Sequence, residues 1–329
     1  HAFYHFSLWD LHRWVTTAVK LSCARLKPEE RIIFINAWNE WGEGTYLEPD
    51  EKYGYASINT VSKALYGIPF DTRSIVLGQD APKIQKEIFQ NEKEVRIAVQ
   101  IHIYFTELLE EIGAQLDMIP FSYDLYITTD SEKKKLAIMA ALKNKAHRIV
   151  TDVIPNRGRD VAPFLLQMQP VIKQYDYIGH FHTKKTETSN YGDAWRHDIF
   201  CNLFGNKEYM KRLFNLFESD EKLGLIMPEI FPPVHGQTRW SGEQNGVLNL
   251  LKRMGYKSDI VELLPFPTGG MFWARTDALH PVFDLKLNQK DFPKETGQRY
   301  GTIAHQLERA WPHIVLMSGY QYLMVKNGF

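Results

Sequence analysis

Two glutamates lie three residues apart in an aromatic, glycine-rich segment near the start of the chain. Glu40 and Glu43 belong to W-N-E-W-G-E-G, which begins at Trp38. Two carboxylates beside apolar rings can divide into a general acid and a general base, and indole faces can stack on sugars. The two carboxylates are thus suited to glycoside acid/base chemistry. The same residues are also typical of a solvated loop whose tryptophans close one end of a barrel.

A cationic segment, N-R-G-R-D-V-A-P-F, begins at Asn156. Arg157 and Arg159 carry guanidinium groups, and Asp160 falls where the N-cap of the following helix belongs. Arginine beside the backbone N–H groups of a helix start suits a diphosphate. The alternative is a capped helix with solvated arginines.

The segment H-F-H-T-K-K begins at His180. Strand alternation places His180, His182 and Lys184 on one face. Anion binding by Lys184 and Lys185, with His182 as a polar wall, is the favoured interpretation. Metal ligation by the histidine pair lacks a carboxylate nearby in the sequence, and plain strand residues are the remaining alternative.

The segment F-P-T-G-G-M-F-W-A-R begins at Phe266. Gly269 and Gly270 would let a ligand approach the backbone, and Trp273 could stack on it. We therefore expect these three residues to contact an acceptor, unless the segment is an apolar turn that only packs.

The segment G-T-I-A-H-Q-L-E-R begins at Gly301. On a helix capped by Thr302, His305 and Glu308 are one turn apart and share a face. They could line a cleft. The alternative is an amphipathic helix with a surface pair between Glu308 and Arg309.

Strands and helices that alternate along the chain must position these segments. Strands that alternate with helices of about 10–15 residues predict a mostly parallel sheet with helices on both faces. We expect strands at 95–104, 123–131, 147–155, 175–185 and 222–228, and helices at 106–119, 133–145, 160–174, 247–255 and 302–311.

Three regions follow from this pattern. Residues 1–66 predict a fragment of an α/β repeat, with a helix at 11–25, a buried parallel strand at 31–37 and a helix at 54–65; the family resemblance given below implies that this is the C-terminal fragment of a (β/α)8 barrel. Residues 67–94 predict a linker with one connecting helix. Residues 95–329 form the main domain.

Composition narrows the class of protein. The 329 residues carry 39 Lys+Arg and 39 Asp+Glu, so no overall field attracts nucleic acid. Cys23 and Cys201 are too far apart for a disulfide framework or a cysteine zinc site. No apolar run reaches the ~20 residues that span a bilayer. The chain begins at His1 without a leader-like segment, so we expect its natural start to lie upstream.

The first region resembles WbsX-like glycosyltransferases and glycoside hydrolase family 99. N-A-W-N-E-W-G-E-G-T-Y-L-E-P-D matches the E-W-x-E-G-x-x-x-E-P motif of the latter. The resemblance implies that Glu40 and Glu43 match its catalytic carboxylates and that Glu48 matches the trailing glutamate. A barrel needs ~250 residues, so we expect no activity from this fragment.

The main domain resembles the rhamnan synthesis protein F family, most specifically in N-R-G-R-D-x-A-P-F and H-T-K-K. The resemblance implies transfer of a sugar, L-rhamnose from dTDP-L-rhamnose or a similar donor, onto a glycan or lipid-linked glycan of the cell surface. It implies a GT-A-like nucleotide-diphosphosugar fold. The implied location is the cytoplasm, or the inner face of the membrane through assembly partners.

Site roles follow from this resemblance. Glu308 is the expected general base, with Asp160 as the alternative and His305 beside it. Asp130 would hold ribose or nucleobase. The residues expected to hold the donor diphosphate are Asn156, Arg157, Arg159, His182, Lys184 and Lys185.

Metal-dependent GT-A enzymes hold a divalent ion with Asp-x-Asp, and this chain contains no such motif. We therefore expect transfer without a required metal, since cations can stabilise the leaving diphosphate instead. A glycan-binding scaffold and a truncated glycosidase are the alternative functions.

Overall fold

A computed structural model describes residues 8–51, 54–66, 73–78, 95–183, 191–298 and 300–328. The chain divides into two compact units. One comprises residues 1–72 with 235–239, and the other comprises 73–234 with 240–329.

The larger unit is built on an eight-stranded sheet. The strands are β3 Ser74–Gly78, β4 Ile97–His102, β5 Asp124–Thr129, β6 Arg148–Val153, β7 Tyr177–His182, β8 Leu223–Pro228, β9 Phe272–Arg275 and β10 Gln321–Gly328. Their order across the sheet is β3-β10-β8-β9-β7-β4-β5-β6. Among these strands, β9 alone runs antiparallel to its neighbours β7 and β8. The α/β class and the mostly parallel sheet predicted from the sequence are therefore confirmed.

Helices cover both faces of this sheet. One apolar core packs under α3 Leu109–Leu116, α4 Glu132–Leu142, α6 Gly192–Leu203 and α7 Lys207–Ser219. The other packs under α5 Val161–Met168, α8 Gln244–Arg253, α9 His280–Asp284 and α10 Ile303–Met317. Strand alternation divides β4 between them: Val99 belongs to the first core and Ala98 to the second. The polar residues Gln100 and His102 follow Ala98 on the α5 side.

Helices α6 and α7 and strand β10 were not predicted from the sequence. Asn206 caps α7, because its side chain accepts a hydrogen bond from the Tyr209 backbone N–H at 2.9 Å. In α10, Pro312 lies within the helix, and the helix extends six residues beyond the predicted end at 311. No helix among the described residues is long and apolar enough to cross a membrane.

The smaller unit contains helices α1 Leu8–Arg25 and α2 Ala56–Tyr66, which pack against each other. Between them, β1 Asn39–Glu40 and β2 Thr45–Tyr46 form a short antiparallel hairpin.

The predicted buried strand at 31–37 is wrong. These residues join no sheet, and the side chain of Phe34 is 90% exposed. A parallel strand needs neighbours on its edges and helices on its faces, and the described residues of this unit supply neither for the segment.

The predicted linker at 67–94 contains a strand. Residues 74–78 form β3, which pairs in parallel with β10 at the edge of the large sheet. The connecting helix was predicted within 79–94, which lies outside the described residues. The division into a barrel fragment, a linker and a main domain remains a proposal.

Candidate functional site

The order of the parallel strands locates a crevice. Along the chain β4, β5 and β6 are laid down toward one edge, whereas β7 lies on the other side of β4. Ligands of open α/β sheets bind beyond the carboxyl ends of the strands at such a reversal. A cavity of about 410 Å³ lies there, within the range of small-molecule sites. His102 ends β4, His182 ends β7, and both line this cavity.

The loop from β6 to α5 brings a carboxylate to the crevice. Gly158 and Arg159 adopt left-handed φ values of 65° and 55°. A Cβ at Gly158 would lie 2.5 Å from Phe292 and 2.6 Å from Ala162, so a larger residue would disturb the turn. The turn places Asp160 at the N-cap of α5, as predicted, but its side chain makes no capping hydrogen bond. It points to β7 instead.

Asp160 meets both histidines of β7. Its Oδ2 lies 3.2 Å from Nε2 of His180 and 3.9 Å from Nε2 of His182. Burial raises the pKa of Asp160, but the two histidines outweigh this effect and hold the pKa well below its usual value. Asp160 is therefore an ionised, engaged carboxylate.

Gly269 and Gly270 lie against this cluster. The carbonyl oxygen of Gly269 is 2.6 Å from Nε2 of His182, so that nitrogen carries a hydrogen. Gly270 has a φ of 78°, and a Cβ there would lie 2.7 Å from Oδ2 of Asp160. Both glycines line the cavity, and Gly270 allows the backbone to approach Asp160.

Helix α10 forms another wall of the cavity. The Gly269 N–H donates to Oε1 of Glu308 at 3.2 Å, and Oε2 of Glu308 lies 3.7 Å from Arg309. Glu308 is 28% exposed and lines the cavity, so its predicted pairing with Arg309 does not remove it from the site.

His305 lies one turn before Glu308 and also lines the cavity. Its Nδ1 is 2.7 Å from Oγ1 of Thr302, while its Nε2 is buried without a hydrogen-bond partner. Burial and the charge of Arg159 lower the pKa of His305. The ring is therefore neutral at neutral pH.

The two predicted arginines differ in their surroundings. Arg159 lines the cavity with Asn156; it donates to the Gln298 carbonyl at 2.5 Å and lies 3.7 Å from Glu295. Arg157 donates to the Gln289 carbonyl at 3.4 Å and is not among the described residues that line the cavity.

Two other predicted residues lie outside the cavity. Trp273 is fully buried, and its indole N–H donates to the Leu203 carbonyl at 2.9 Å. Its predicted contact with an acceptor is therefore wrong, because strand alternation turns it into the core under α6 and α7. Asp130 pairs with Lys134 at 2.7 Å and is not among the residues that line the cavity. Lys184 and Lys185 lie outside the described residues.

Some cavity residues were not predicted from the sequence. The hydroxyl of Thr183 accepts hydrogen bonds from the backbone N–H groups of Tyr104 and Phe105, at 2.9 and 3.0 Å. These three residues and His102 line the cavity. A polar residue at the carboxyl end of a buried strand was the available signal for His102. Glu295, which also lines the cavity, follows no element with a recognisable pattern.

The described residues contain no group of three or more His, Cys, Asp or Glu side chains arranged to hold a metal ion. Among these residues we therefore assign no ligands for a divalent ion, and we derive no step through one.

In the smaller unit, Glu40 and Glu43 are both exposed. The indole N–H of Trp41 donates to Oε2 of Glu48 at 2.7 Å, and the Trp41 ring stacks on Tyr46 with centroids 3.9 Å apart. The aromatic residues pack on each other and do not enclose the glutamate pair.

Two solved structures are similar to this chain at a low level. One is a mycobacterial protein with 14% identity and a TM-score of 0.31, covering 56% of this chain and 54% of its own. The other is glucosyl-3-phosphoglycerate synthase from Mycobacterium tuberculosis, in complex with Mn²⁺, UDP and glucosyl-3-phosphoglycerate. It has 13% identity and a TM-score of 0.33, covering 70% and 69%. TM-scores this low do not establish a shared fold.

The sequence relatives are closer. The chain is 31% identical over 317 residues to the uncharacterized protein WxcX from two strains of Xanthomonas campestris pv. campestris. The alignment covers 95% of this chain and 42% of WxcX, so the chain spans less than half the length of these relatives.

Two family descriptions match the chain. Glycosyltransferase WbsX matches residues 2–61, and rhamnan synthesis protein F matches residues 54–320. The second match includes every cavity residue described above. The chain belongs to the rhamnan synthesis protein F family.

Proposed function

We propose that the chain is a glycosyltransferase that moves a deoxysugar from a nucleoside diphosphate onto a growing surface polysaccharide. The proposed donor is dTDP-L-rhamnose, and the acceptor is a glycan or lipid-linked glycan. The observation that carries the proposal is one cavity, at the switch point of the sheet, lined by a guanidinium, a carboxylate and a neutral histidine. The family membership supports it.

The donor occupies the side of the cavity formed by β4 and the β6–α5 loop. Arg159 and Asn156 bind the diphosphate, because charge-assisted hydrogen bonds favour its oxygens. Tyr104 and Phe105, at the end of β4, receive the nucleobase. The sequence also predicts that Lys184 and Lys185, which lie outside the described residues, bind this diphosphate.

The acceptor occupies the side formed by Gly269, Gly270 and α10. Its hydroxyl oxygen attacks the anomeric carbon and forms the new C–O bond, while the bond to the diphosphate breaks and the diphosphate leaves with the electron pair. The carboxylate of Glu308 takes the hydroxyl proton. If the donor is β-linked and the product α-linked, the configuration inverts and one base is sufficient.

Glu308 is a better base than Asp160. Glu308 is partly exposed to the cavity, and its described contacts are one backbone N–H and Arg309. Asp160 is engaged by two histidines, and its lowered pKa makes it a weak proton acceptor. We therefore assign proton transfer to Glu308 and the orientation of the β7 histidines to Asp160.

Donor binding is the direct test. Thermal unfolding with dTDP, UDP and GDP should show stabilisation by dTDP, since a ligand that binds the folded state raises the unfolding temperature. Transfer from labelled dTDP-L-rhamnose to a glycan acceptor would then identify the activity. Failure of every nucleotide to stabilise the protein would contradict the proposal.

A glycan-binding scaffold is the second candidate, and the missing Asp-x-Asp favours it. Chelation tests whether transfer depends on a metal ion. We expect EDTA to leave transfer intact, because Arg159 and the lysines stabilise the leaving group. Loss of transfer that Mn²⁺ restores would show that the site uses a metal. Glycan binding without nucleotide binding would favour the scaffold.

A further inference from the structure

A buried chain of hydrogen bonds runs behind the cavity from Gln167 on α5. Its Nε2 is 2.9 Å from the carbonyl oxygen of Ile127 and 3.0 Å from Oδ2 of Asp152. A backbone carbonyl can only accept a hydrogen bond, so the amide of Gln167 must present its NH₂ there. This contact settles the orientation of an amide that its shape alone leaves ambiguous. The Gln167 oxygen consequently faces Gln100.

Gln100, on β4, is fully buried. Its Nε2 lies 3.4 Å from Oε1 of Gln167 and 3.3 Å from Oγ1 of Thr128. Because Gln167 presents an acceptor, Gln100 must present its NH₂ in turn. The Gln100 oxygen therefore faces Nδ1 of His180 at 3.0 Å. A second acceptor at that nitrogen would be repelled, so Nδ1 carries a proton.

The other nitrogen of His180 faces Asp160 at 3.2 Å. This carboxylate is ionised and can only accept, so the contact needs a proton on Nε2 as well. The ring stacks on Phe164, with centroids 4.3 Å apart, and Phe272 lies 5.4 Å away. Burial, with a smaller effect of His182, lowers the pKa of His180 below its usual value, although Asp160 opposes this with a hydrogen bond and its charge. The two facing acceptors, Oε1 of Gln100 and Oδ2 of Asp160, nevertheless require a proton on each ring nitrogen. If either ring nitrogen of His180 lost its proton, its lone pair would face the acceptor oxygen of Gln100 or Asp160 in a buried environment.

The same chain reaches His102 through Thr128. The Thr128 oxygen accepts from Gln100, and the remaining described partner of this hydroxyl is Nδ1 of His102, 3.0 Å away, so the Thr128 hydrogen goes to that nitrogen. His102 is then neutral and carries its proton on Nε2. Burial lowers the pKa of His102 to about 4; Asp160 and Asp130 oppose this shift, and His182 and His180 add to it.

We propose that Gln167 and Gln100 are positioning residues that set the protonation of the two buried histidines of the site. Through them His180 is held as the cationic partner of Asp160, and His102 as a neutral donor at the cavity wall. Neither glutamine is among the residues lining the cavity. The inference deepens the proposed function, because an Asp160 engaged by His180 leaves Glu308 as the base.

Nitrogen-15 NMR of the imidazole rings tests this in the unliganded protein. Near neutral pH we expect protons on both nitrogens of His180 and on Nε2 alone of His102. Each ring is assigned by its absence in His180→Asn or His102→Asn. An unprotonated Nδ1 of His180, or a proton on Nδ1 of His102, would overturn the proposal. No sugar nucleotide is used, so the result is independent of the proposed activity.

The relay itself is tested with Gln167→Met. Without the Gln167 amide, the Gln100 amide can turn over, and the protonation of His180 Nδ1 should no longer be fixed. Gln169→Met, at an exposed position just after the same helix, is the matched control and should leave both rings unchanged. An unchanged His180 in Gln167→Met would overturn the relay. If this variant does not fold, the spectrum of the unaltered protein still decides the proton positions.

Discussion

The chain contains two groups of carboxylates beside aromatic residues, and the structure treats them differently. Asp160 is held by two histidines in the sheet crevice, with Gly270 packed against it. Glu40 and Glu43 lie in an exposed hairpin, where Trp41 bonds to Glu48 and stacks on Tyr46.

The difference lies in enclosure. Carboxylate chemistry depends on burial and on fixed partners, since these set pKa and orientation. The sheet supplies both at its carboxyl edge, because parallel strands end there together. The hairpin supplies neither to its glutamate pair. Residue types that favour catalysis therefore indicate a site only where several elements converge.

The largest expected effect separates the two regions directly. Glu308→Gln keeps the shape of the side chain but cannot take a proton, so transfer should slow by ~10²–10⁴-fold. The double variant Glu40→Gln/Glu43→Gln should retain the full rate. The measurement is turnover of dTDP-L-rhamnose with nucleotide affinity as a control. Normal turnover in Glu308→Gln would move the base to Asp160.

The second prediction concerns the loss of protein stability at acid pH that follows from the burial of His102. The pKa of His102 falls from 6.5 to about 4 on folding. Between these values the unfolded chain binds a proton that the folded chain excludes. The contribution of neutral His102 to the free energy of unfolding is complete above pH 6.5 and is lost as the pH falls toward 4.

This shift corresponds to ~3 kcal/mol of unfolding free energy. Denaturant unfolding at several pH values should show a shallower acid loss in His102→Asn than in the unaltered protein. His147→Asn, at a side chain that is 77% exposed, should keep the original slope. Equal slopes in all three proteins would show that His102 is not buried as described.

The third prediction compares two neighbouring arginines. Arg159→Gln should weaken nucleotide diphosphate binding roughly 10- to 100-fold, the worth of a charge-assisted hydrogen bond of ~1.5–3 kcal/mol. Arg157→Gln should change it little, since the Gln289 carbonyl engages this side chain away from the cavity. Isothermal titration with dTDP measures both. Equal losses would place Arg157 in the donor site.

The smallest expected effect isolates the close approach at Gly270. Gly270 and Gly319 share a φ of 78°, but a Cβ at Gly319 would meet nothing within 4 Å. Alanine at either position strains the backbone by ~1–2 kcal/mol. Gly270→Ala must also displace Asp160, so it should lower the transfer rate, whereas Gly319→Ala should lower only the unfolding midpoint. Equal activity in both variants would contradict the contact with Asp160.

Much of the larger unit could be predicted from periodicity. The runs that became β4 to β7 are short and are separated by helices that were also predicted, so local signals and the fold agree. The strand predicted at 31–37 failed although its composition was apolar. A parallel strand exists only through its neighbours, and composition does not state whether they are present.

The sequence by itself determined the α/β class and the position of Asp160 at the start of a helix. These depend on local backbone preference and on the spacing of apolar residues. Only the tertiary structure decided that Asp160 meets His180 and His182, that Glu308 bonds to Gly269, and that Trp273 belongs to the core. Each of these contacts joins separate elements, and their closeness depends on strand order and on the face that each residue occupies.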